Sequence, residues 1–175
     1  KLVGLDPAPG PEMKSTGEVM GSDTTAEMAY LKARLATEIP VATSGGVYLT
    51  VRDEDKQALL PIARNLENMG FELYATPGTA DILRKNTIKV NTAFRIHEKG
   101  HPDALDLMHQ GKIKFIINVP TISGGAVRDG NIMRRLAVEM NIPFVTTMSG
   151  AVMEVLAIKA NREVDLVPMR LKVNY

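Results

Sequence analysis

The chain contains no cysteine among its 175 residues, which excludes a disulfide framework and a thiolate metal site and suits a reducing compartment. It has no surplus of either charge, since 21 Lys and Arg against 20 Asp and Glu leave a net charge of +1. A nucleic-acid or anionic-membrane surface needs a basic excess that is missing here. No apolar run approaches the roughly 18 to 20 residues of a membrane span, and no basic-then-apolar leader opens the chain. The first residue is Lys1 rather than Met, so the chain is expected to be a piece of something longer. Its length suits one domain with an appendage.

What is present divides in two. In the first part, Leu5-Asp-Pro-Ala-Pro-Gly-Pro-Glu12 carries three prolines and forms no regular element. A weak apolar stripe of Ala26, Ala29, Tyr30, Ala33 and Leu35 predicts a helix from Thr24 or Thr25 to Glu38. One of those threonines is the N-cap, with Glu27 completing a capping box. Residues 39–46 read as a linker. This segment has no core of its own and needs a neighbour.

The second part alternates strands and helices. Strands are predicted at 47–51, 71–75, 87–91, 114–119 and 142–147. Asp53 caps a helix that ends with Gly70 at C′, and Pro61 should kink it or split off its first turns. Pro102 suits the first turn of a helix reaching Gln110, and further helices are predicted at 131–141 and 150–160. The 114–119 strand is apolar on both faces, as a central parallel strand is. These elements predict an α/β fold, Rossmann-like or flavodoxin-like, with a five-stranded parallel sheet and helices on both faces.

The stretch Phe71-Glu-Leu-Tyr-Ala-Thr-Pro-Gly-Thr-Ala80 joins a strand to a helix through a Thr/Gly turn, a layout that suits an anion. The first helical N–H groups have no internal partner, and the helix dipole favours negative charge there. Gly78 lets backbone approach a ligand, and Thr76 and Thr79 add hydroxyl donors. An ordinary βα loop with Thr as N-cap fits the same residues.

Ligands in a doubly wound sheet gather at the carboxyl ends of the strands. Those ends carry Arg52 and Lys56, then Thr76, Gly78 and Thr79, then Arg95, then Asn118, then Thr147 and Ser149. Cations, hydroxyls and an amide on one rim suit a phosphate or carboxylate held without covalent chemistry. No Ser-His-Asp grouping is among them, and the nearby acids are Asp53, Glu54, Asp55 and Asp129. Lys56 opposes the dipole of its own helix, which strengthens the case for a ligand role, a solvated lysine being the default reading. His97, His101 and His109 lack metal-ligand spacing and a clearly paired acid, so no metal site is expected. Arg134 and Arg135 read as an outer or interface face, and the ten methionines as core or interface filler.

Several motifs carry a resemblance. Gly10-Pro-Glu-Met-Lys-Ser-Thr-Gly-Glu-Val-Met-Gly21 resembles the closing segment of the second ATP-grasp domain in the carbamoyl-phosphate synthetase large-chain family. Thr50-Val-Arg-Asp-Glu-Asp-Lys56, Gly70 to Ala80, Phe115-Ile-Ile-Asn118 and Met133-Arg-Arg-Leu-Ala137 resemble the allosteric domain that follows it, which has the methylglyoxal-synthase-like fold. The resemblance implies an ATP-grasp tail with helix and linker at 1–44 and an allosteric domain at 45–175.

It further implies a cytoplasmic ATP-dependent ligase. The whole enzyme makes carbamoyl phosphate for pyrimidine and arginine biosynthesis from bicarbonate, two ATP and ammonia delivered by a glutaminase subunit. ATP and Mg2+ or Mn2+ would serve that intact enzyme. This part would be non-catalytic and hold no cofactor. Its implied partners are the rest of the large chain, the small glutaminase subunit and a phosphorylated effector. Nucleic acid and membrane are excluded, and an oligomer is expected.

Bacterial members bind nucleotides such as UMP, an inhibitor, and IMP; animal relatives use UTP, phosphoribosyl pyrophosphate or N-acetylglutamate. Carried over position by position, the implied effector site is Lys56, Thr76, Gly78 and Thr79, with Arg95 where nucleotide-binding bacterial forms usually have Lys. Thr50 stands where some members have Ser. Asn118 matches a base- or ribose-contacting residue, and Asp129 and Ile132 flank the base. Two departures affect that end: Val119-Pro120 replaces a Thr-Thr pair, and Gly130 replaces Ser.

Two other readings share the frame. A methylglyoxal synthase-type lyase is resembled around Arg135-Leu-Ala-Val-Glu-Met-Asn-Ile-Pro143, but Ala126 after Gly124-Gly125 and Val119-Pro120 after Asn118 leave it without its carboxylates. A ligand-free docking or oligomerisation module is disfavoured by the cations and hydroxyls on one rim, because interface cores shed charge.

Overall fold

A computed structural model describes residues 19–120 and 125–163. Most of the 10–21 motif and Gly124 of the glycine pair lie outside the described residues. The elements in order are α1 (Ala26–Leu35), β1 (Gly46–Thr50), α2 (Lys56–Asn68), β2 (Glu72–Ala75), α3 (Pro77–Lys85), β3 (Asn91–Thr92), α4 (Ala104–His109), β4 (Ile113–Asn118), α5 (Gly125–Glu139), β5 (Phe144–Val145) and α6 (Met148–Glu163). Short 3-10 turns occupy Asp53–Asp55 and Ile96–Glu98.

The strands form one parallel sheet in the order β3-β2-β1-β4-β5, the α/β arrangement expected from the alternation. Strands β1 and β4 are buried on both faces, which is why they read as continuous apolar runs. Val47, Leu49, Phe115 and Ile117 pack on one side against α2, α3 and α6. Tyr48, Tyr74 and Ile116 pack on the other against α4 and α5. Alternation along each strand therefore assigns Tyr48 and Thr50 to the α4/α5 side.

Local chemistry explains where the elements depart from expectation. Helix α1 is capped by Thr25, whose hydroxyl accepts from the Met28 N–H at 3.4 Å. The residue at N3 is Met28, so Glu27 forms no capping box. Asp53 does not cap α2 but opens the 3-10 turn ahead of it, and α2 continues through Pro61, which faces solvent. A proline removes one helical hydrogen bond, and the remaining bonds with the buried face of Leu59, Ile62 and Leu66 keep the helix whole. Gly70, at φ 81°, ends it as expected, with Gly70 N–H to Glu67 O at 2.9 Å and Phe71 N–H to Leu66 O at 3.1 Å, a Schellman arrangement.

The third strand is shorter and later than predicted. Thr87 adopts φ 60°, donates its N–H to Arg84 O at 2.9 Å, and is followed by Ile88 N–H to Leu83 O at 3.0 Å. Residues 87 and 88 thus terminate α3, leaving only Asn91–Thr92 to pair with β2. Pro102 lies outside α4, because Asp103 is the N-cap and exchanges bonds with Asp106. Helix α5 begins at Gly125 rather than 131, β5 contracts to two residues, and α6 extends beyond its predicted ends.

The neighbour that α1 requires is α6. Leu31 is fully buried, and the Glu154 carboxylate, 1 % exposed, accepts from Tyr30 Oη at 2.8 Å and from Arg34 Nε at 2.9 Å and Nη2 at 3.1 Å. Burial and the Glu154 charge raise the Tyr30 phenol above its usual value.

Candidate functional site

The first strand lies between β2 and β4, and the connections from those two neighbours run to opposite sides of the sheet. This switch point opens a crevice at the carboxyl ends. A cavity of 590 Å³ occupies it, lined by Thr50, Thr76, Arg95, Asn118 and Asp129, together with Tyr48, His97 and Met133. Thr50 and Asn118 are registered partners on adjacent strands, so both side chains face the same side of the sheet.

Beside the lining residues Asp53 and Thr76, Lys56 and the start of α3 meet. The Lys56 Nζ would stand 3.0 Å from a Cβ built on Gly78, so the ammonium lies over the first turn of α3 where glycine leaves the space open. The Lys56 side chain is only 15 % exposed and pairs with Asp53 Oδ1 at 2.7 Å. The lysine hydrogen bond, and then its charge, hold the Asp53 carboxyl below the ordinary range. Thr76 and Thr79 are both buried, with their hydroxyls 3.2 Å apart. Thr76 occupies the N-cap position, but its hydroxyl makes no cap bond to the backbone, so capping alone does not account for it. Arg95, at the exposed end of the β3 connection, lines the same cavity. Arg52 also lines it, but is tied to Glu54 at 2.8 Å and to Asp55, whose hydrogen bond raises its pKa.

A second cluster is built around a buried arginine. Arg134 is 1 % exposed, contrary to its expected outer position, whereas Arg135 is exposed. Helix α5 starts earlier than predicted and presents Met133, Arg134 and Ala137 inward. Arg134 Nη1 donates to Asn118 Oδ1, and Nη2 to Asn131 Oδ1 at 2.6 Å. A Cβ on Gly130 would come within 2.8 Å of Arg134 Nη1 and 3.0 Å of Asn118 Oδ1. The Gly130 departure therefore clears room for this guanidinium.

Two histidines have carboxylate partners, against expectation. His97 Nδ1 lies 2.6 Å from Asp129 Oδ2, linking the Ile96–Glu98 turn to α5 at the cavity wall. His101 Nδ1 lies 2.5 Å from Asp106 Oδ2, which raises the His101 pKa and lowers that of Asp106. His101, Asp103 and Asp106 bring ligand-type atoms within 4.8 Å of one another, but their bonds are those of the α4 cap.

Among the implied effector residues, the structure brings Thr50, Thr76, Arg95, Asn118 and Asp129 to the cavity wall. Lys56, Gly78 and Thr79 do not line it but stand behind it, Lys56 bonded to the lining residue Asp53 and over Gly78, and Thr79 bonded to the lining residue Thr76. Ile132 is not with them. It is 42 % exposed and lines a separate depression with Val127, Arg128, Asn131 and Arg135. Thr147 and Ser149 are also elsewhere, with the Thr147 hydroxyl accepting from the Gly150 N–H at 3.0 Å at the start of α6. Sequence reasoning missed Tyr48 and Arg134. The same-face spacing of residues 48 and 50 could have signalled the first, but a helix pattern with a displaced start hid the second.

A family model described as the MGS-like domain matches residues 58–146. Over 163 residues the chain is 44 % identical to the carbamoyl phosphate synthase large chain, C-terminal section, of Methanopyrus kandleri, covering 93 % of this chain and 30 % of that protein. The corresponding protein of Methanocaldococcus jannaschii is 43 % identical over 167 residues, covering 95 % and 27 %. The carbamoyl phosphate synthase large chain of Methanoculleus marisnigri is 42 % identical over 171 residues, covering 97 % and 16 %. The chain thus spans less than a third of each of these relatives.

Proposed function

Since the chain belongs to the MGS-like domain family, we propose that it is the effector-binding regulatory part of a carbamoyl phosphate synthase large chain. It takes a phosphorylated ligand, with UMP and IMP as the leading candidates, into the switch-point cavity. The carrying observation is the Lys56 ammonium poised over Gly78 beside the buried Thr76 and Thr79 hydroxyls. A cation, two hydroxyls and a helix N-terminus stabilise a phosphate dianion without reacting with it. Arg95, exposed on the cavity wall, offers a planar fork suited to two phosphate oxygens.

The chain itself performs no bond-making step in this reading; the ATP-dependent ligase activity belongs to the longer enzyme. Effector binding alters that activity by favouring one arrangement of the strand-end loops. A ligand shifts such an equilibrium only by its differential affinity for the two states, typically about 1 to 3 kcal/mol.

Calorimetric titration of the chain with UMP, IMP and inorganic phosphate tests the reading. Wild type binds at least one of them, and Lys56→Ala combined with Thr76→Ala weakens that binding about 10- to 100-fold, the range for losing charge-assisted hydrogen bonds. Absence of binding by all three at millimolar concentration would sink the proposal.

A further inference from the structure

The inner wall of the cavity holds a phenol that none of the described residues bonds. Tyr48 lines the cavity and is 3 % exposed, yet its hydroxyl has no hydrogen-bond partner among the described residues. No fully sealed side-chain oxygen or nitrogen is left unpaired among them, so this hydroxyl keeps its opening onto the cavity. A buried tyrosine normally finds a partner for its O–H. Burial, then the charges of Asp103 and Asp129, raise its pKa, with Arg95 opposing and Glu98 adding to the rise. The group facing the cavity is therefore a neutral phenol with a proton to donate.

Asn118 faces the same space, and its orientation is set by chemistry. A guanidinium has donors only, so the bond from Arg134 Nη1 occupies the amide oxygen of Asn118. Its amide NH2 is thereby left as the group for a ligand. Tyr48 and Thr50 share one face of β1, and Ile116 and Asn118 the paired face of β4, so the phenol and the amide belong to one wall.

We infer that Tyr48 contacts the ligand and determines specificity: its hydroxyl and the Asn118 amide form a two-donor subsite for acceptor oxygens on the non-phosphate part of the effector. This rests on the phosphate reading above, with the phosphate at the Lys56 end and the carbonyl- or hydroxyl-bearing head against β1 and β4. Gly130 belongs to the same device, since a side chain there would displace Arg134 from Asn118.

The test compares affinities for inorganic phosphate, ribose 5-phosphate, UMP and IMP in wild type, Tyr48→Phe and Asn118→Asp. Phenylalanine preserves the packing of Tyr48, and unchanged thermal melting checks it. Asn118→Asp keeps an oxygen for Arg134 while exchanging the free donor for an acceptor. The expected result is that Tyr48→Phe weakens the better nucleotide about 3- to 10-fold, the range for one neutral hydrogen bond, and leaves inorganic phosphate unchanged. Asn118→Asp should lower the ratio of nucleotide to phosphate affinity further. Equal nucleotide affinity in wild type and Tyr48→Phe overturns the inference while leaving phosphate binding standing. An equal loss for phosphate and nucleotide in Tyr48→Phe also overturns it. If wild type binds none of the four, the phosphate reading fails and this inference with it.

Discussion

Lys56 is shared between two claims. Its ammonium bonds Asp53, which is almost fully exposed, and the same ammonium stands over the start of α3. A phosphate bound as proposed would compete with that carboxylate. Asp53→Asn is therefore expected to tighten inorganic phosphate binding about 2- to 5-fold, the scale of an exposed ion pair, as read by calorimetry at neutral pH. The Asp53 pKa is depressed by Lys56, so the competing pair persists above the usual carboxylate range and is lost as pH falls through the lowered value. The advantage of the variant should vanish there. At this scale Lys56, Thr76 and Thr79 were legible because each lies just past a strand end or at a helix start. Arg134 was not, since its burial depends on where α5 begins and which face it turns inward.

Among the elements, α4 shows how short helices are held. Its six residues are too few to be stable alone, and the reciprocal Asp103–Asp106 bonds at 2.9 Å satisfy its first N–H groups. Asp103→Ala is expected to cost about 1 kcal/mol, the usual value of a lost N-cap. Thermal melting would then fall by about 2 to 4 °C for a chain of this size; an unchanged melt would show that the cap contributes nothing. The strong periodic elements were readable from the sequence. Strand β3 was displaced because Thr87 takes a left-handed conformation, which residue type alone does not signal for a β-branched side chain.

Across the whole molecule, α1 is joined to the sheet domain through Glu154. Removing one partner of a buried ion pair leaves an uncompensated charge and costs about 3 to 5 kcal/mol, and Arg34 is only 14 % exposed at this contact. Glu154→Ala should lower stability by about that amount in denaturant unfolding, with amide exchange in α1 accelerating. If α1 exchange and the unfolding midpoint both hold, the contact does not tie the helix down.

By itself the sequence determined the layer order. Apolar runs bounded by turn residues and separated by helical periods leave a parallel sheet as the way to bury them. The rule that ligands meet the carboxyl ends of strands then placed the phosphate-type residues on one rim. Tertiary structure alone decided the partnerships: Arg134 with Asn118, His97 with Asp129, Tyr30 and Arg34 with Glu154. It also separated Ile132 from the cavity. The physical reason is that periodicity encodes which face is apolar. Which distant polar group meets which depends on helix register and rotation, and packing sets both.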